Sequence, residues 1–260
     1  MELGLKGRRV LVTGGSKGIG LAVAHSFAAE GCPLHLVARS TDDLARAAEA
    51  VRARHPVPVS VHALDCASAE GQARLAMLAN EVDILVNNAG SIPPGSITDV
   101  TEGPWRAAWD LKVFGYINLS RIFFEAMKAR GEGVIVNVIG TTGERLDAGY
   151  IAGSTGNAAL MAFTKALGST SADVGVRVLG VNPGPVESDR LEMMVKRRAK
   201  ARLGDEGRWR ELMANMPLHR PARPEEIADS VVFLASPRSS YTSGCILALD
   251  GGLAARGALP

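Results

Sequence analysis

Seven short apolar runs punctuate the chain, near Arg9–Thr13, Pro33–Ala38, Val57–Ala63, Asp83–Asn87, Val134–Ile139, Val176–Val181 and Cys245–Leu249. Each has the length and the valine, isoleucine or leucine content of a buried strand. Between them apolar residues recur at the spacing of one helical face: Leu21, Ala24, Phe27 and Ala28, then Leu44, Ala47, Ala48 and Val51, and later Ile227, Val231 and Leu234. Strand and helix alternating in this way predict an α/β fold, a parallel sheet with helices on both faces. No internal repeat, low-complexity segment or Pro/Gly-rich linker divides residues 1–260, which are read as one domain. Only Glu187–Met216 breaks the rhythm.

Composition narrows the class. With 260 residues, 47% of them apolar, the chain can bury a full core. A formal net charge of +2 gives no case for nucleic acid as a general partner. Cys32, Cys66 and Cys245 are odd in number and far apart, so no disulfide framework is expected. The five histidines show no metal-ligand spacing with them, and no metal is assigned. The start Met1-Glu-Leu-Gly-Leu-Lys6 does not read as a secretory signal, and no apolar run is long enough to cross a bilayer. A cytoplasmic enzyme without a membrane association is the expectation.

The sharpest local feature is Thr13-Gly-Gly-Ser-Lys-Gly-Ile-Gly20, set between the first strand and the first helix. Strand, glycine loop and helix in that order make a pyrophosphate cradle. Glycines let the backbone come close to phosphate, and the helix N-terminus offers free N–H groups and a positive dipole end. Gly14, Ser16, Lys17, Gly18, Ile19 and Gly20 are the candidate cradle.

Further motifs follow in order: Asp65 after the third strand, Asn87-Asn-Ala-Gly90 after the fourth, Asn182-Pro-Gly-Pro-Val186 after the sixth, and Asp250-Gly-Gly252 near the end. Together with the glycine loop they resemble the short-chain dehydrogenase/reductase family over nearly the whole chain. The resemblance implies a doubly wound Rossmann fold with a seven-stranded parallel sheet, a nicotinamide dinucleotide, and assembly as a homodimer or homotetramer. It would place Asp65 on the adenine amino group and Asn88, Ala89 and Gly90 along the adenosine ribose. Pro183, Gly184, Val186 and Ser188 would flank the nicotinamide, while Asn87 would tie neighbouring strands together.

The second strand ends Val37-Ala38-Arg39-Ser40, a cation where an NAD site usually carries a carboxylate. Arg39 with Lys17 suits a 2′-phosphate, so NADP is the expected cofactor, with NAD as the alternative should both cations be solvated.

The family's catalytic residues are Asn, Ser, Tyr and Lys, the last two as Tyr-x-x-x-Lys on one helical face. Counting from Val134–Val138 and from Ala159, Leu160 and Lys165 puts Gly140 at the serine position, Gly153 at the tyrosine, Asn157 at the lysine and Lys112 at the asparagine. None of the four is the usual residue. Tyr150 lies seven residues before Asn157, the tyrosine-to-lysine spacing of the family's enoyl-reductase branch. Lys112 shares a helical stripe with Trp105, Trp109 and Tyr116, a face expected to turn inward. Tyr150, Lys112, Thr141 and Thr142 are therefore the candidate catalytic groups, and Asn157 is assigned to the cofactor. The bland alternatives put Lys112 in solvent beside Asp110 and make Tyr150 a loop aromatic over the helix start.

Arg190, Lys196, Arg197, Arg198, Lys200 and Arg202 crowd the Glu187–Met216 segment, which by resemblance covers the substrate. Their charge suits a small-molecule substrate that is anionic or CoA-linked, or else a solvated helix on an oligomer surface. Three functions compete: an NADP(H)-dependent oxidoreductase acting on a carbonyl or activated double bond, a catalytically silent dinucleotide-binding regulator or sensor, and a supporting subunit of a mixed oligomer.

Overall fold

The computed structural model describes residues 2–214 and 216–256, apart from the side chain of Arg190. All seven apolar runs become strands of one parallel sheet: β1 Val10–Thr13, β2 Leu34–Ala38, β3 Val59–Ala63, β4 Ile84–Asn87, β5 Gly133–Val138, β6 Val176–Pro183 and β7 Ile246–Leu249. Their order is β3-β2-β1-β4-β5-β6-β7. The chain thus starts in the middle, winds to one edge, returns and winds to the other. That is the doubly wound topology, and its switch point lies between β1 and β4.

Because side chains alternate along a strand, each strand feeds both faces. Val10, Val12, Leu34, Leu36, Val136 and Val138 join one buried cluster, together with α1 (Gly18–Ala29), α2 (Thr41–Arg52) and α9 (Pro224–Ala235). Leu11, Val37, Leu85 and Ile135 join the other, against α3 (Ala69–Ala76) and α5 (Gly115–Arg130). The predicted stripe Leu44, Ala47, Ala48 and Val51 is buried in full, as are Ile227, Val231 and Leu234.

Two features escaped the periodicity. The helix expected through Lys112 is broken: α4 (Glu102–Trp109) passes through a π turn, Asp110–Phe114, before α5 begins. The irregular Glu187–Met216 segment contains α7 (Asp189–Leu203) and α8 (Trp209–Met213). Its base is closed by a bridge between Val186 and Ala222. Just inside that closure Leu218 and His219 both take φ of 55°, left-handed backbone that side chains rarely adopt. No described helix is long and apolar enough to cross a membrane, and no described cluster of His, Cys, Asp and Glu could hold a metal.

On the outer strands His35 Nδ1 and His62 Nε2 stand 3.1 Å apart with stacked rings. Burial pushes both imidazoles below their ordinary range, and His35 adds to the effect on His62. Below about pH 6.5 the unfolded chain takes up protons that the folded chain refuses. Stability is therefore full above that value and falls as the pH drops through the depressed folded values. Denaturant melts from about pH 7.5 down to about pH 5 should show this loss, and His62→Gln should flatten it.

Candidate active site

β1 ends at Thr13, and the chain turns through four residues into α1. The first turn of α1 has neither a side-chain cap nor an acidic residue. No side chain of the described residues caps its N–H groups, so they and the positive dipole end lie open at the carboxyl edge of the sheet. Backbone packs tightly beneath: a Cβ on Gly20 would stand 2.2 Å from the Gly14 carbonyl oxygen and 2.5 Å from Asn88 Nδ2. The Thr13 hydroxyl accepts from the N–H groups of Asn88 and Ala89, at 2.9 and 3.0 Å. Asn88 Nδ2 donates back to the Thr13 carbonyl at 3.0 Å. An uncapped helix end over a floor of close-packed backbone and the Asn88 amide fits a pyrophosphate.

The rim of this cradle carries the two predicted cations. Gly15 N–H donates to the Val37 carbonyl at 3.2 Å, which draws the glycine loop beside the end of β2. Arg39 and Lys17 are both exposed there, while Ser16 and Ile19 are half-buried. Asp65 is exposed after β3, its Oδ1 accepting from Ala67 N–H at 3.0 Å. Asn87 is fully buried and donates to Asn137 Oδ1 at 2.9 Å, across paired strands β4 and β5.

The second half of the site grows from the π turn. Tyr116 donates to the Val138 carbonyl at 3.0 Å, and Lys112 Nζ donates to the Ile139 carbonyl at 2.5 Å. Two side chains one turn apart thus meet successive carbonyls at the end of β5. Lys112 turns inward, as the stripe predicted, and does not extend into solvent. Its stem lies over Gly90, where a Cβ would be 2.9 Å from Lys112 Cδ. Trp109 Nε1 donates to the Ala152 carbonyl at 3.0 Å, fastening the same stripe to α6 (Ile151–Ser171).

Beyond Ile139 the chain bends at Gly140, whose φ of 137° suits only glycine. A side chain there would also collide with Asn157, whose Nδ2 lies 2.9 Å from an ideal Cβ. Asn157 itself is buried, and its Nδ2 donates to Thr142 Oγ1 at 2.8 Å. Thr141 is buried too, and its hydroxyl donates to the Pro183 carbonyl at 2.5 Å. Of the two threonines, only Thr142 is half-buried rather than locked into a neighbouring strand end.

Tyr150 caps the start of α6. An ideal Cβ on Gly153 would lie 1.9 Å from Tyr150 Cε1 and 2.2 Å from its Cζ. The ring therefore occupies the volume that a side chain at position 153 would need. Its backbone is bridged to Gly95, with Gly95 N–H donating to the Gly149 carbonyl at 2.8 Å and Ile151 N–H to the Gly95 carbonyl at 3.2 Å. Tyr150 and Trp105 pack on Ile92, Val100, Ala108 and Ala152. The sequence reading missed Gly95. Its Pro93-Pro94-Gly95-Ser96 context signals a turn, and nothing local signals the distant bridge.

The far wall follows β6. Gly184 N–H donates to the Leu249 carbonyl at 3.0 Å, and Asp250 ties the Gly251-Gly252 turn by accepting from Gly252 and Ala254 N–H at 2.8 and 2.7 Å. Ser188 caps α7, its hydroxyl accepting from Leu191 N–H at 3.1 Å, and Val186 forms the bridge to Ala222. Of the basic residues on α7, Lys196 pairs with Glu192 at 2.6 Å and Arg198 with Asp147 at 2.8 Å. Asp147 belongs to the loop that carries Tyr150. The side chain of Arg190 lies outside the described residues.

This architecture has known relatives. A family model described as enoyl-(acyl carrier protein) reductase matches residues 14–254. A galactitol 2-dehydrogenase (L-tagatose-forming) of Cereibacter sphaeroides is 37% identical over 95% of both chains. An acetoacetyl-CoA reductase of Allochromatium vinosum is 32% identical over 95% of this chain and 98% of its own. The crystal structure of L-sorbose reductase from Gluconobacter frateurii, complexed with NADPH and L-sorbose, superposes with a TM-score of 0.90 at 32% identity, covering 99% and 100% of the two chains. The chain belongs to the short-chain dehydrogenase/reductase family. Membership makes it an NAD(P)-dependent oxidoreductase by descent and accounts for the cradle, the switch point and the ordered motifs.

The overlap at Gly153 can be tested without any assay of function. Gly153→Ala should cost roughly 1–3 kcal/mol in denaturant melts, the range for overpacking a filled space. In a Tyr150→Ala background the same change should cost little. Equal costs in both backgrounds would mean that the ring does not occupy that volume.

Proposed function

We propose that this family member is an NADP(H)-dependent oxidoreductase that reduces or oxidises a carbonyl or activated double bond with Tyr150, Lys112 and Thr142 in place of the family's Tyr, Lys and Ser. The observation that carries this reading is the Tyr150 ring in the space of a side chain at position 153. A tyrosine standing three residues earlier delivers an aromatic hydroxyl from the same helix start. The two glycines are then requirements of the arrangement: a side chain at 153 would displace the ring, and one at 140 would displace Asn157.

The cradle from Gly14 to Gly20 would hold the pyrophosphate, Asp65 the adenine, and Asn88, Ala89 and Gly90 the adenosine ribose. Pro183, Gly184, Val186 and Ser188 would bound the nicotinamide. Bound there, the dinucleotide supplies or accepts the hydride. The chain's own residues do the rest. Tyr150 moves a proton to or from the reacting oxygen, and the Lys112 ammonium, fixed by the Ile139 carbonyl, stabilises negative charge that develops on it. Thr142 offers a hydroxyl, the role also considered for Thr141, whose hydrogen is committed to Pro183. The α7–α8 segment would cover a substrate with an anionic or CoA handle, in a homodimer or homotetramer.

Arg39 follows β2 and Lys17 closes the glycine loop that is hydrogen-bonded to Val37 of that strand, so a 2′-phosphate held there would gain charge-assisted hydrogen bonds. NADPH should therefore bind at least about tenfold tighter than NADH, or about 1.4 kcal/mol, and Arg39→Ala should erase most of the difference. Fluorescence titration of both cofactors measures this. Equal affinities would reduce the two cations to surface charge.

Tyr150→Phe and Lys112→Met should each lower turnover on the order of 10²–10⁴-fold while NADPH affinity holds, since neither residue belongs to the cradle. Acting as a unit, they should lose little more in combination. A panel of acetoacetyl-CoA, L-tagatose, L-sorbose and an enoyl-CoA ester serves as substrate. Undiminished single mutants would overturn the mechanism, and a wild type inert towards every substrate despite tight NADPH binding would favour the sensor.

A further inference from the structure

Thr142 and Asn157 belong to different elements, the turn after β5 and the second turn of α6, yet meet side chain to side chain at 2.8 Å. Asn157 is only 3% exposed, and its Oδ1 is one of three buried side-chain atoms without a hydrogen-bond partner among the described residues. Burying an amide with one end unpaired is unfavourable, so packing alone does not account for an asparagine there. The contact with Thr142 does. A hydroxyl has one proton and two lone pairs. Once a lone pair is engaged by the Asn157 N–H, the threonine proton has to be directed elsewhere. Thr142 is half-buried, so its proton is not confined to a partner inside the protein. Gly140 makes the approach feasible, since any side chain there would press on the same amide nitrogen, 2.9 Å from an ideal Cβ.

We propose that Asn157 is a positioning residue, one that turns the Thr142 hydroxyl outward as a hydrogen-bond donor to the reacting oxygen. The inference rests on the function proposed above and deepens it: position 157, assigned from the sequence to the cofactor, works here through a threonine. The pair supplies by orientation what a lone threonine, free to rotate, would supply only part of the time.

Asn157→Asp tests this, because it keeps the shape and reverses the polarity. A carboxylate only accepts, so Thr142 would have to donate to it and its proton would leave the cleft. Turnover number on acetoacetyl-CoA, or whichever member of the panel above is fastest, should fall about 100-fold, as expected for loss of one oxyanion donor, with KM and NADPH affinity changed little. Thr142→Val should fall equally, and Thr142→Ser should recover most of that loss. In the Thr142→Val background Asn157→Asp should have almost no further effect. A carboxylate acting on the cofactor or on Lys112 would instead lower turnover in both backgrounds and overturn the pairing. A readout independent of turnover accompanies these: in protein with isotope-labelled asparagine, the Asn157 side-chain amide signal should move in Thr142→Val and stay in Thr142→Ser. An amide signal indifferent to Thr142→Val overturns the inference whatever the kinetics show. A wild type that turns over nothing overturns the proposed function instead, and an active wild type with a fully active Asn157→Asp variant overturns only the pairing.

Discussion

In a parallel sheet all the strands release their last backbone groups at the same edge, where no further strand can pair with them. How those groups are satisfied decides the shape of the cleft. At the switch point the Thr13 hydroxyl collects the N–H groups of Asn88 and Ala89, holding the loop after β4 against the glycine turn after β1. At β5 the carbonyls of Val138 and Ile139 are met by Tyr116 and Lys112. At β6 the Pro183 carbonyl is met by Thr141. Each bond answers a backbone requirement and, in doing so, fixes a wall of the site. Lys112 shows the consequence most clearly, because the carbonyl that satisfies part of its ammonium also determines where the charge stands.

The π turn belongs to the same account. A strictly α-helical path from Glu102 to Arg130 would advance by 100° per residue, and the wider turn at Asp110–Phe114 changes which residues face the sheet. Around it, Trp109 reaches the Ala152 carbonyl on α6, Tyr116 the Val138 carbonyl on β5 and Lys112 the Ile139 carbonyl just past that strand. Gly156 lets the helices approach, since a Cβ there would already touch Val113 and Trp109 at 3.1 and 3.2 Å. Small residues on α6 and large ones on the opposing stripe are complementary halves of one contact.

Much of this was legible in the sequence, and the boundary is physical. Strands and the regular helices announce themselves because a buried face imposes a period, as Leu44, Ala47, Ala48 and Val51 show. The cradle is legible because backbone close to phosphate demands glycine. The inward turn of Lys112 followed from the aromatic residues on its stripe. What could not be read were contacts between segments with no shared period. The Gly95–Tyr150 bridge joins a Pro-Gly turn to a helix start far along the chain. The fit of Gly153 to the Tyr150 ring is likewise a matter of three-dimensional volume, and a glycine in a helix pattern reads in one dimension only as a weak point. The roles of Thr141 and Thr142 were indistinguishable in sequence, and only their hydrogen-bond partners separate them.

The contacts that hold the loop of Tyr150 differ in strength. Tyr150 is held from below by backbone, through the bridge to Gly95 and through its own N–H on the Asp147 carbonyl at 3.0 Å. Ser154 takes up the Asp147 N–H at 3.0 Å, closing the same turn from α6. The covering segment reaches this loop through the ion pair of Arg198 with Asp147, both substantially exposed to solvent. An exposed pair contributes at most about 1 kcal/mol and is screened by salt. That ion pair is therefore a weak tie beside the apolar burial of Val195 and Ala199 on α7, whereas the turn under Tyr150 is held by hydrogen-bonded backbone. The placement of the Tyr150 ring thus rests on the backbone turn beneath it and on the open volume at Gly153, and not on the exposed ion pair.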